Sequence, residues 1–371
     1  MKEQHVLDLL HQEGPMSRAD IARHCGISKP TASHVVDRLM EAKLVHEVGM
    51  TPATIGRPGR LVSIHPGAGY VVALDVGGTT TRAITLDLAG TTIARTRTAT
   101  PLLDAAGTAR HIATIVEEVT QAVRDAGPVV HVAIGTPGVE DPGQRSILYA
   151  PNLPALETPG FLDELGTALP APFTMLNDVK AATLGELTQG AGADASHLVY
   201  AGIGTGLGFG FVVDGQVRAG SAGRAGEFGL TPYRDGETLE AYVSGSAIRA
   251  RHRALGGSGN PEDAFKEARE GQAPGVQVID TFLDDLAWAA TALTTTLDPE
   301  VFVLGGGIGL QCEPYLDTLH DRVQRAVGFA PTFSVTQLGD DAGLTGAGTV
   351  ALDAARTVDA WLKGGALQTT S

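Results

Sequence analysis

The chain has 371 residues, 43% of them hydrophobic, which is enough apolar material for two or three folded domains and excludes a disordered chain. Its only cysteines, Cys25 and Cys312, exclude a disulfide framework and a zinc site built from four cysteines, and they favour a reducing compartment. Charges interrupt the N-terminal segment, and no apolar run of membrane-spanning length follows. We therefore expect a cytoplasmic protein without membrane contact.

The net charge of −15 is unevenly distributed along the chain. Residues 1–66 contain eight Lys and Arg against seven Asp and Glu, together with six of the eleven His, whereas the remainder carries a net charge of −16. An acidic body repels nucleic acid. Any contact with DNA is therefore expected from the first 66 residues.

The first 66 residues show the pattern of a winged helix–turn–helix. Helical apolar spacing around residues 6–10 ends at the segment EGP, and Ser17 then provides an N-cap for SRADIARHC. The segment CGIS predicts a tight turn, and KPTASHVVDRLMEAKLV predicts a third helix with Pro30 in its first turn. The apolar face of this helix consists of Ala32, Val35, Val36 and Leu39.

The start of the third helix presents small polar and basic side chains, as a helix that reads the major groove does. LVHEV and RLVSI predict the two strands of a wing around GMTPATIGRPG, whose basic tip suits phosphate or minor-groove contacts. A three-helix interaction module is the alternative interpretation. The predicted DNA-binding residues are Ser28, Lys29, Thr31, Ser33, His34, Arg57 and Arg60.

After residue 66 the chain alternates between strands, glycine-rich turns and helices. The segments YVVALDVGGTTTRAITLDLAG and HLVYAGIGTGLGFGFVVDG each indicate a strand, a glycine turn and a second strand. Two such hairpins, each in mixed surroundings, predict a duplicated two-lobed α/β fold with a cleft between the lobes. We place the domains at 1–66, 67–185 and 186–371, with a C-terminal helix that is a candidate to return to the first lobe.

Two further segments carry candidate chemistry. In DVGGTTTR, glycines let backbone N–H groups approach phosphate oxygens, threonine hydroxyls add donors, and Asp75 is placed to hold a magnesium-bound water. The segment RAGEFGLTPYRDGETLEAYVSG contains Glu227 and Glu240. From the residues alone these are a catalytic pair, metal ligands, clamps for a polar ligand, or ordinary loop charges.

As a series, these motifs resemble the ROK family, which groups sugar-responsive repressors with sugar kinases of the actin-like ATPase fold. The resemblance runs from GPMSRADIARHCGISKPTASHVV through TIGRPGRLVSIHP, DVGGTT, LNDVKAATLGE and GIGTGLGFG to VFVLGGGIG, nearly the whole chain. It implies an N-terminal winged helix–turn–helix followed by a two-lobed, ROK sugar kinase-like α/β fold.

The resemblance also implies roles for single residues. Asp178 falls on the family's base carboxylate, while Asn177, Glu227 and Glu240 fall on its sugar-contacting positions. A carboxylate at a strand end is able to take the proton from a sugar hydroxyl that attacks a γ-phosphate, although an Asx turn also explains the pair of residues ND. The implied nucleotide-phosphate residues are Asp75, Gly77, Gly78, Thr79, Thr80, Gly204, Thr205, Gly206 and Gly306.

The family's zinc loop is not preserved in this sequence. Leu230 stands where the resemblance implies a histidine that contacts both sugar and zinc, and TPYRDGET contains no cysteine. Closed tetrahedral zinc sites use cysteine and histidine ligands. We therefore expect no zinc, so that a shorter loop must hold Glu227 and Glu240.

These observations favour a sugar-responsive transcriptional regulator, a repressor of carbohydrate metabolism genes with a sugar or sugar-phosphate effector in the cleft and no required cofactor. The alternative is an ATP-dependent sugar kinase that retains a DNA-binding arm and uses ATP and Mg²⁺. A protein–protein adaptor with a degenerate kinase fold has no positive support. Because a single winged helix binds a half-site weakly, we expect a homodimer or homotetramer on operator DNA.

Overall fold

The structure, a computed structural model, describes residues 2–51, 59–124 and 127–355. The described parts of 1–136, 141–175 and 348–355 form one compact unit, and residues 137–140 with 176–347 form the second. Within these ranges, no helix combines the length and apolar character needed to cross a bilayer.

The N-terminal part of the first unit is a three-helix module with a small antiparallel sheet. Its elements are α1 (Lys2–Glu13), β1 (Met16–Ser17), α2 (Arg18–His24), α3 (Lys29–Glu41), β2 (Val45–Met50) and β3 (Arg60–Ile64). The predicted wing strands are β2 and β3, which pair with each other. Strand β1, which the sequence pattern did not indicate, pairs with the other side of β3 and gives the order β1-β3-β2.

Local signals set the helix boundaries in this module. The Ser17 Oγ accepts the Asp20 N–H at 3.2 Å and so caps α2, as predicted. Helix α1 ends at Glu13, directly before Gly14, whose φ of +76° lies in the left-handed region. The predicted apolar face of α3 is confirmed, because all four of its residues are buried: Ala32, Val35, Val36 and Leu39.

The rest of the first unit is built around a five-stranded sheet of order β10-β7-β4-β5-β6. Its elements are β4 (Tyr70–Val76), β5 (Thr80–Asp87), β6 (Thr92–Ala99), α4 (Ala105–Thr120), β7 (Val129–Thr136), β8 (Val139–Asp141), β9 (Ser146–Leu148), α5 (Phe161–Ala168) and β10 (Phe173–Asn177), although residues 139–140 of β8 and 176–177 of β10 are assigned to the second unit. Strands β4 and β5 form the first predicted glycine hairpin, and β4 pairs with β7 in parallel.

The second unit contains another five-stranded sheet, of order β13-β12-β11-β14-β15. Its elements are α6 (Asp178–Gln189), β11 (Leu198–Ile203), β12 (Leu207–Val213), β13 (Gln216–Val217), α7 (Gly245–Ala254), α8 (Pro261–Arg269), α9 (Gly275–Leu297), β14 (Val301–Gly305), α10 (Gly306–Gln311), α11 (Leu316–Val327), β15 (Thr332–Val335) and α12 (Ala342–Ala355), the last of which extends into the first unit. Strands β11 and β12 form the second predicted hairpin.

The two sheets share one topology. In each, the glycine hairpin supplies an antiparallel pair, a parallel strand follows on one side, and a further antiparallel strand lies on the other. Apolar helices cover the sheets; in the second unit, α9 buries twelve of its residues. The predicted duplicated α/β fold behind a winged helix–turn–helix is confirmed.

The junction between β10 and α6 contains the residues ND, which the sequence alone also allowed to be an Asx turn. Asn177 is the last residue of β10 and also the N-cap of α6, so the strand passes directly into the helix. A capping side chain replaces the turn, because it satisfies a backbone donor at the helix start. The domain boundary predicted after residue 185 falls inside α6, and residues 348–355 of α12 belong to the first unit.

Candidate functional site

The start of α3 is the polar, accessible part of the winged helix. Lys29 and His34 are exposed, whereas Thr31 and Ser33 are half-buried. Ser28 caps the helix, since its Oγ accepts the Thr31 N–H at 3.3 Å and lies 2.8 Å from the Thr31 hydroxyl. Of the predicted DNA-binding residues on this helix, Lys29 and His34 are exposed, as is the capping Ser28, which together with Thr31 fixes the helix start.

Arg60 lies at the described edge of the wing. Its guanidinium pairs with the Glu47 carboxylate of β2, which Arg18 also reaches at 3.5 Å. The hydrogen bond from Arg60, with a smaller contribution from Arg18, lowers the pKa of Glu47. A phosphate that binds Arg60 must therefore compete with a carboxylate. Arg57, the other predicted wing contact, lies outside the described residues.

The first glycine turn, residues 77–79, joins β4 to β5. Beside it, Asp75 pairs with Arg82 on the neighbouring strand at 3.1 Å. A Cβ built on Gly78 would lie 2.8 Å from the Cβ of Asn152, so this side of the turn is already filled. The other predicted residues of the turn are Gly77 and Thr80, which are half-buried, and Thr79, which is exposed.

The second glycine turn, residues 204–206, joins β11 to β12. The Glu240 carboxylate accepts the Leu207 N–H at 3.1 Å. The same carboxylate oxygen would lie 3.2 Å from a Cβ on Gly206. Glu240, which is predicted to contact the sugar, therefore lies against the glycine turn that is predicted to bind phosphate. Its carboxylate places negative charge beside that turn.

Two further contacts fix this turn. The Ser246 hydroxyl, at the start of α7, donates to the Thr205 carbonyl at 2.8 Å. Gly306, which follows β14, has a φ of +76°, and a Cβ on it would lie 2.4 Å from the Ile203 carbonyl oxygen. Close packing against β11 thus requires glycine at this position, whether or not a nucleotide binds.

The start of α6 carries Asn177 and Asp178. The Asn177 Oδ1 accepts the Lys180 N–H at 3.1 Å, and its Nδ2 donates to the Gly138 carbonyl at 3.1 Å. The Asp178 Oδ1 accepts the Val179 N–H at 2.8 Å. These are the local bonds of a helix cap and an Asx interaction. Since such oxygens accept more than one hydrogen bond, the bonds are compatible with a bound ligand.

Three predicted carboxylates and one lysine form a single charged group. Lys180 interacts electrostatically with Glu227 and Asp178, and its Nζ donates to the Gly223 carbonyl. Burial raises the pKa of Glu227; Lys180 opposes this increase, and the charge of Glu240 adds to it. Burial also lowers the pKa of Lys180. This half-buried, charged and hydrogen-bonding surface is suited to a ligand with several hydroxyl groups.

The chain between Glu227 and Glu240 folds as a tight hairpin over residues 231–239. The Leu239 N–H donates to the Thr231 carbonyl at 2.9 Å and closes its base. At its tip Asp235 and Gly236 have φ values of +53° and +81°, as the central residues of a type I′ turn require. The hairpin therefore brings the two glutamate-bearing segments, Glu227–Leu230 and Leu239–Ala241, to a common base.

Zinc does not fit this loop. Leu230 ends the first glutamate-bearing segment and is 52% exposed, and the hairpin offers hydroxyl, carboxylate, guanidinium and apolar groups. Across the part of the chain that the structure describes, no group of three or more His, Cys, Asp and Glu has the spacing of metal ligands. Cys312, one of the two thiols, is buried, which raises its pKa to about 12.

Sequence reasoning missed three residues that the structure places at these sites. Lys180 lies two residues after Asp178, and a cation so close to two predicted sugar-contacting residues was a signal that could have been used. Asp285 accepts the Tyr233 hydroxyl of the hairpin at 3.0 Å; it lies at helical spacing from buried Phe282 and Ala289, so a charge inside an apolar stripe was its signal in the sequence. The proximity of Asn152 to the first glycine turn had no local signal.

Comparison with known proteins agrees with this architecture. The model of the ROK family matches residues 71–354, and the model of the MarR family matches residues 1–47. The glucokinase of Pyrobaculum calidifontis is 31% identical over 251 residues, which cover 64% of this chain and 79% of that protein.

Two solved structures resemble the chain over different lengths. A ROK family glucokinase from Streptomyces griseus, in complex with glucose and AMPPNP, has a TM-score of 0.65 at 26% identity and covers 77% of this chain and 100% of its own. A ROK family transcriptional regulator, a homologue of the E. coli MLC protein, has a TM-score of 0.77 at 22% identity and covers 98% of both chains, a likeness of fold. Since the ROK model spans most of its length, this chain belongs to the ROK family and carries a MarR-type region at its N-terminus.

Proposed function

We propose that this protein is a sugar-responsive transcriptional regulator that represses carbohydrate metabolism genes. The observation that carries the proposal is the capped helix α3, whose exposed polar start stands on a winged helix in front of a ROK domain. The regulator of the same fold matches the chain along 98% of its length, winged helix included. The charge distribution also supports DNA binding by the N-terminal region, because the first 66 residues have no net negative charge whereas the rest of the chain is acidic.

The DNA contacts divide by chemistry. Lys29 and His34 are exposed donors at the start of α3, and half-buried Thr31 and Ser33 add short hydroxyl contacts to base edges. Arg60 is suited to binding a DNA phosphate, which would replace Glu47 as the partner of its guanidinium. Two such modules are needed for a palindromic operator, so the proposal includes a homodimer or homotetramer.

The effector proposed for the second unit is a sugar or a sugar phosphate. Asn177, Asp178, Glu227 and Glu240 provide acceptors for hydroxyl groups, and Lys180 provides a donor among them. Glucose bound to the S. griseus glucokinase supports a sugar at this kind of domain. An effector that binds one conformation of the regulator more tightly shifts the population toward it and thereby changes operator affinity.

An ATP-dependent sugar kinase that retains a DNA-binding arm is the second candidate, because the P. calidifontis relative is a glucokinase. In that case Asp178 acts as the base, and the second glycine turn with Gly306, in the same unit, binds phosphates of ATP with Mg²⁺. The position of Glu240 favours the regulator instead. Its carboxylate at the second turn repels a phosphate, and Leu230 replaces a donor to the sugar.

Operator binding tests the proposal. We expect the double variant Lys29→Ala, Thr31→Ala to lose about 1–3 kcal/mol of operator affinity per base contact, with an unchanged melting temperature. The control Arg110→Ala removes one exposed positive charge from α4, outside the winged helix, and is expected to bind as the wild type does. Equal operator affinities for the double variant and the wild type would exclude α3 as the reading helix.

A kinase assay separates the two candidates. With glucose, glucosamine and xylose as substrates, the regulator is expected to show no sugar-dependent ATP turnover, and Asp178→Asn is expected to keep its sugar-dependent operator binding. Robust turnover that Asp178→Asn abolishes would instead identify a kinase that also binds DNA.

A further inference from the structure

Asp285 is a fully buried carboxylate in the middle of α9. Its Oδ1 accepts the Tyr233 hydroxyl at 3.0 Å and the Arg234 guanidinium at 2.9 Å, and its Oδ2 accepts the Arg251 guanidinium at 2.8 Å. A buried carboxylate is stable only when charged donors compensate for lost hydration. Asp285 therefore has a defined geometry that depends on all three donors.

These donors come from two other elements of the second unit. Tyr233 and Arg234 belong to the hairpin of residues 231–239, and Arg251 belongs to α7. The carboxylate consequently ties the hairpin to two helices at once. Charge-assisted bonds of this kind are short and directional, so they restrict the position of the hairpin more than apolar contact alone does.

Aromatic rings extend the same contact toward both glutamates. Trp288, one helical turn after Asp285, lies 4.6 Å from the Tyr233 ring and stacks on Phe228, the residue after Glu227, at 6.4 Å. Both ring pairs lie within the range of favourable aromatic contacts. The segment that carries Glu227 is thus linked to the α9 face that carries Asp285.

The other glutamate-bearing segment is linked through Tyr242. This ring lies 5.3 Å from the Tyr233 ring in an edge-on arrangement, and the Arg251 guanidinium lies over it at 5.3 Å. Its hydroxyl donates to the Asp235 carboxylate at the hairpin tip at 3.0 Å. Tyr242 follows Glu240 by two residues, so both ends of the hairpin contact groups bound to Asp285.

We propose that Asp285 is a positioning residue that holds the hairpin of residues 231–239, and with it Glu227 and Glu240, in the geometry that binds the effector. The effector part of this inference rests on the proposed function. The hairpin has no set of zinc ligands. The Asp285 carboxylate, bonded to two guanidiniums and a tyrosine hydroxyl, fixes its position instead. Asp285 acts through Tyr233, Arg234 and Arg251 and has no assigned contact with the ligand.

Hydrogen exchange of the full-length chain without sugar tests the anchor directly. Asp285→Asn places an amide donor against the guanidiniums, and we expect exchange in residues 231–243 to become about tenfold faster or more, while β11 and β14 keep their protection. The milder Tyr233→Phe removes a single donor and should accelerate the same segment less. The control Asp284→Asn alters a 63% exposed neighbour that pairs with Arg322 and should change nothing in the hairpin. Unchanged exchange in both Asp285→Asn and Tyr233→Phe would overturn the anchor.

Calorimetry with glucose, glucosamine and xylose tests the positioning role. For the sugar that the wild type binds, we expect the Kd of Asp285→Asn and of Tyr233→Phe to rise, by about tenfold or more for the former, with sugar-free operator affinity unchanged. A general loss of structure would lower both affinities. Faster hairpin exchange with an unchanged Kd would overturn positioning. If the wild type binds none of the three sugars, that result counts against the effector proposal, and hydrogen exchange still decides the anchor.

Discussion

The two glycine hairpins share a topology but differ in the charges around their turns. In the first, Asp75 is compensated by Arg82 on the next strand, at 3.1 Å. In the second, the carboxylate of Glu240, which lies 33 residues after Leu207 in the chain, accepts the Leu207 N–H directly. A glycine turn between two strands therefore does not by itself establish a phosphate site, because charges supplied by distant residues decide what the backbone donors attract.

The space around the two turns differs as well. A Cβ on Gly78 in the first turn would press on Asn152, whereas a Cβ on Gly204 in the second turn would meet no atom within 4 Å. Packing therefore requires glycine at position 78 but not at position 204. Four experiments, in decreasing order of expected effect, test this contrast and its consequences for the ligand site.

The largest expected effect follows removal of the Glu240 carboxylate from the second turn. Glu240→Ala removes the acceptor of the Leu207 N–H and a proposed sugar ligand, each a hydrogen bond to a charged group worth about 1.5–3 kcal/mol. We expect glucose, or whichever sugar acts on the wild type, to lose its effect on operator binding, measured by fluorescence anisotropy of labelled operator.

Glu240→Gln sharpens the same test, because it keeps an oxygen acceptor and removes the charge. This variant is expected to bind an ATP analogue more tightly than the wild type does, since a phosphate is no longer repelled. Glu237→Ala, at an exposed glutamate of the same hairpin, is the control. A full sugar response in Glu240→Ala would contradict the ligand assignment.

The next effect compares the two turns by adding a methyl group to each. Gly78→Ala is expected to lower the free energy of unfolding by about 1–3 kcal/mol, because Asn152 must shift to admit the Cβ. Gly204→Ala has open space and is expected to stay within about 0.5 kcal/mol of the wild type. Urea denaturation measures both. Equal losses at the two positions would show that the turns are equally packed.

A smaller effect concerns the pH dependence of stability at Glu227. Because burial raises the pKa of Glu227 above its ordinary value of 4.5, the folded state holds the proton more tightly than the unfolded state does. The contribution of Glu227 is therefore least unfavourable at low pH, and stability falls as pH rises from about 4.5 through the folded pKa.

Glu227→Gln removes this titration. Relative to the wild type, it should become more stable as pH is raised from about 4 to about 7, as measured by denaturation at several pH values. The exposed Glu237→Gln is the matched control and should show no such trend. A constant stability difference across this pH range would mean that Glu227 is not penalised by burial.

The smallest expected effect is no change at all on metal removal. The loop around Leu230 lacks cysteine and histidine, so elemental analysis of the untagged protein should find much less than one zinc per chain. Chelators should leave the melting temperature unchanged. Stoichiometric zinc would require ligands elsewhere in the chain. The hairpin of residues 231–239 would then not depend on Asp285 alone for its position.

Much of the fold was predictable because its signals are local. The caps at Ser17 and Ser28 act within three residues, and the buried face of α3 follows from its helical period. Both glycine hairpins were identified because strand, turn and strand are consecutive. Strand β1 was missed, since it has two residues and only its pairing with β3 makes it a strand.

The sequence proposed residues for the candidate site but did not give their arrangement. The resemblance to the ROK family identified Asn177, Asp178, Glu227 and Glu240 one by one. It did not indicate that Glu240 bonds the second glycine turn or that Lys180 joins the carboxylates. Pairwise contacts of this kind depend on loop paths, which a single sequence does not encode in any periodic pattern.

The sequence by itself determined the order of domains, the duplicated hairpins, the polar start of α3 and the lack of cysteine and histidine in the loop around Leu230, because each depends on residue type within a short window. Only the tertiary structure decided how the altered loop is held. Asp285 accepts a hydrogen bond from Tyr233, which is 52 residues away in the chain. This contact is specific because a carboxylate removed from water requires charged or hydroxyl donors, and the fold supplies them from distant segments.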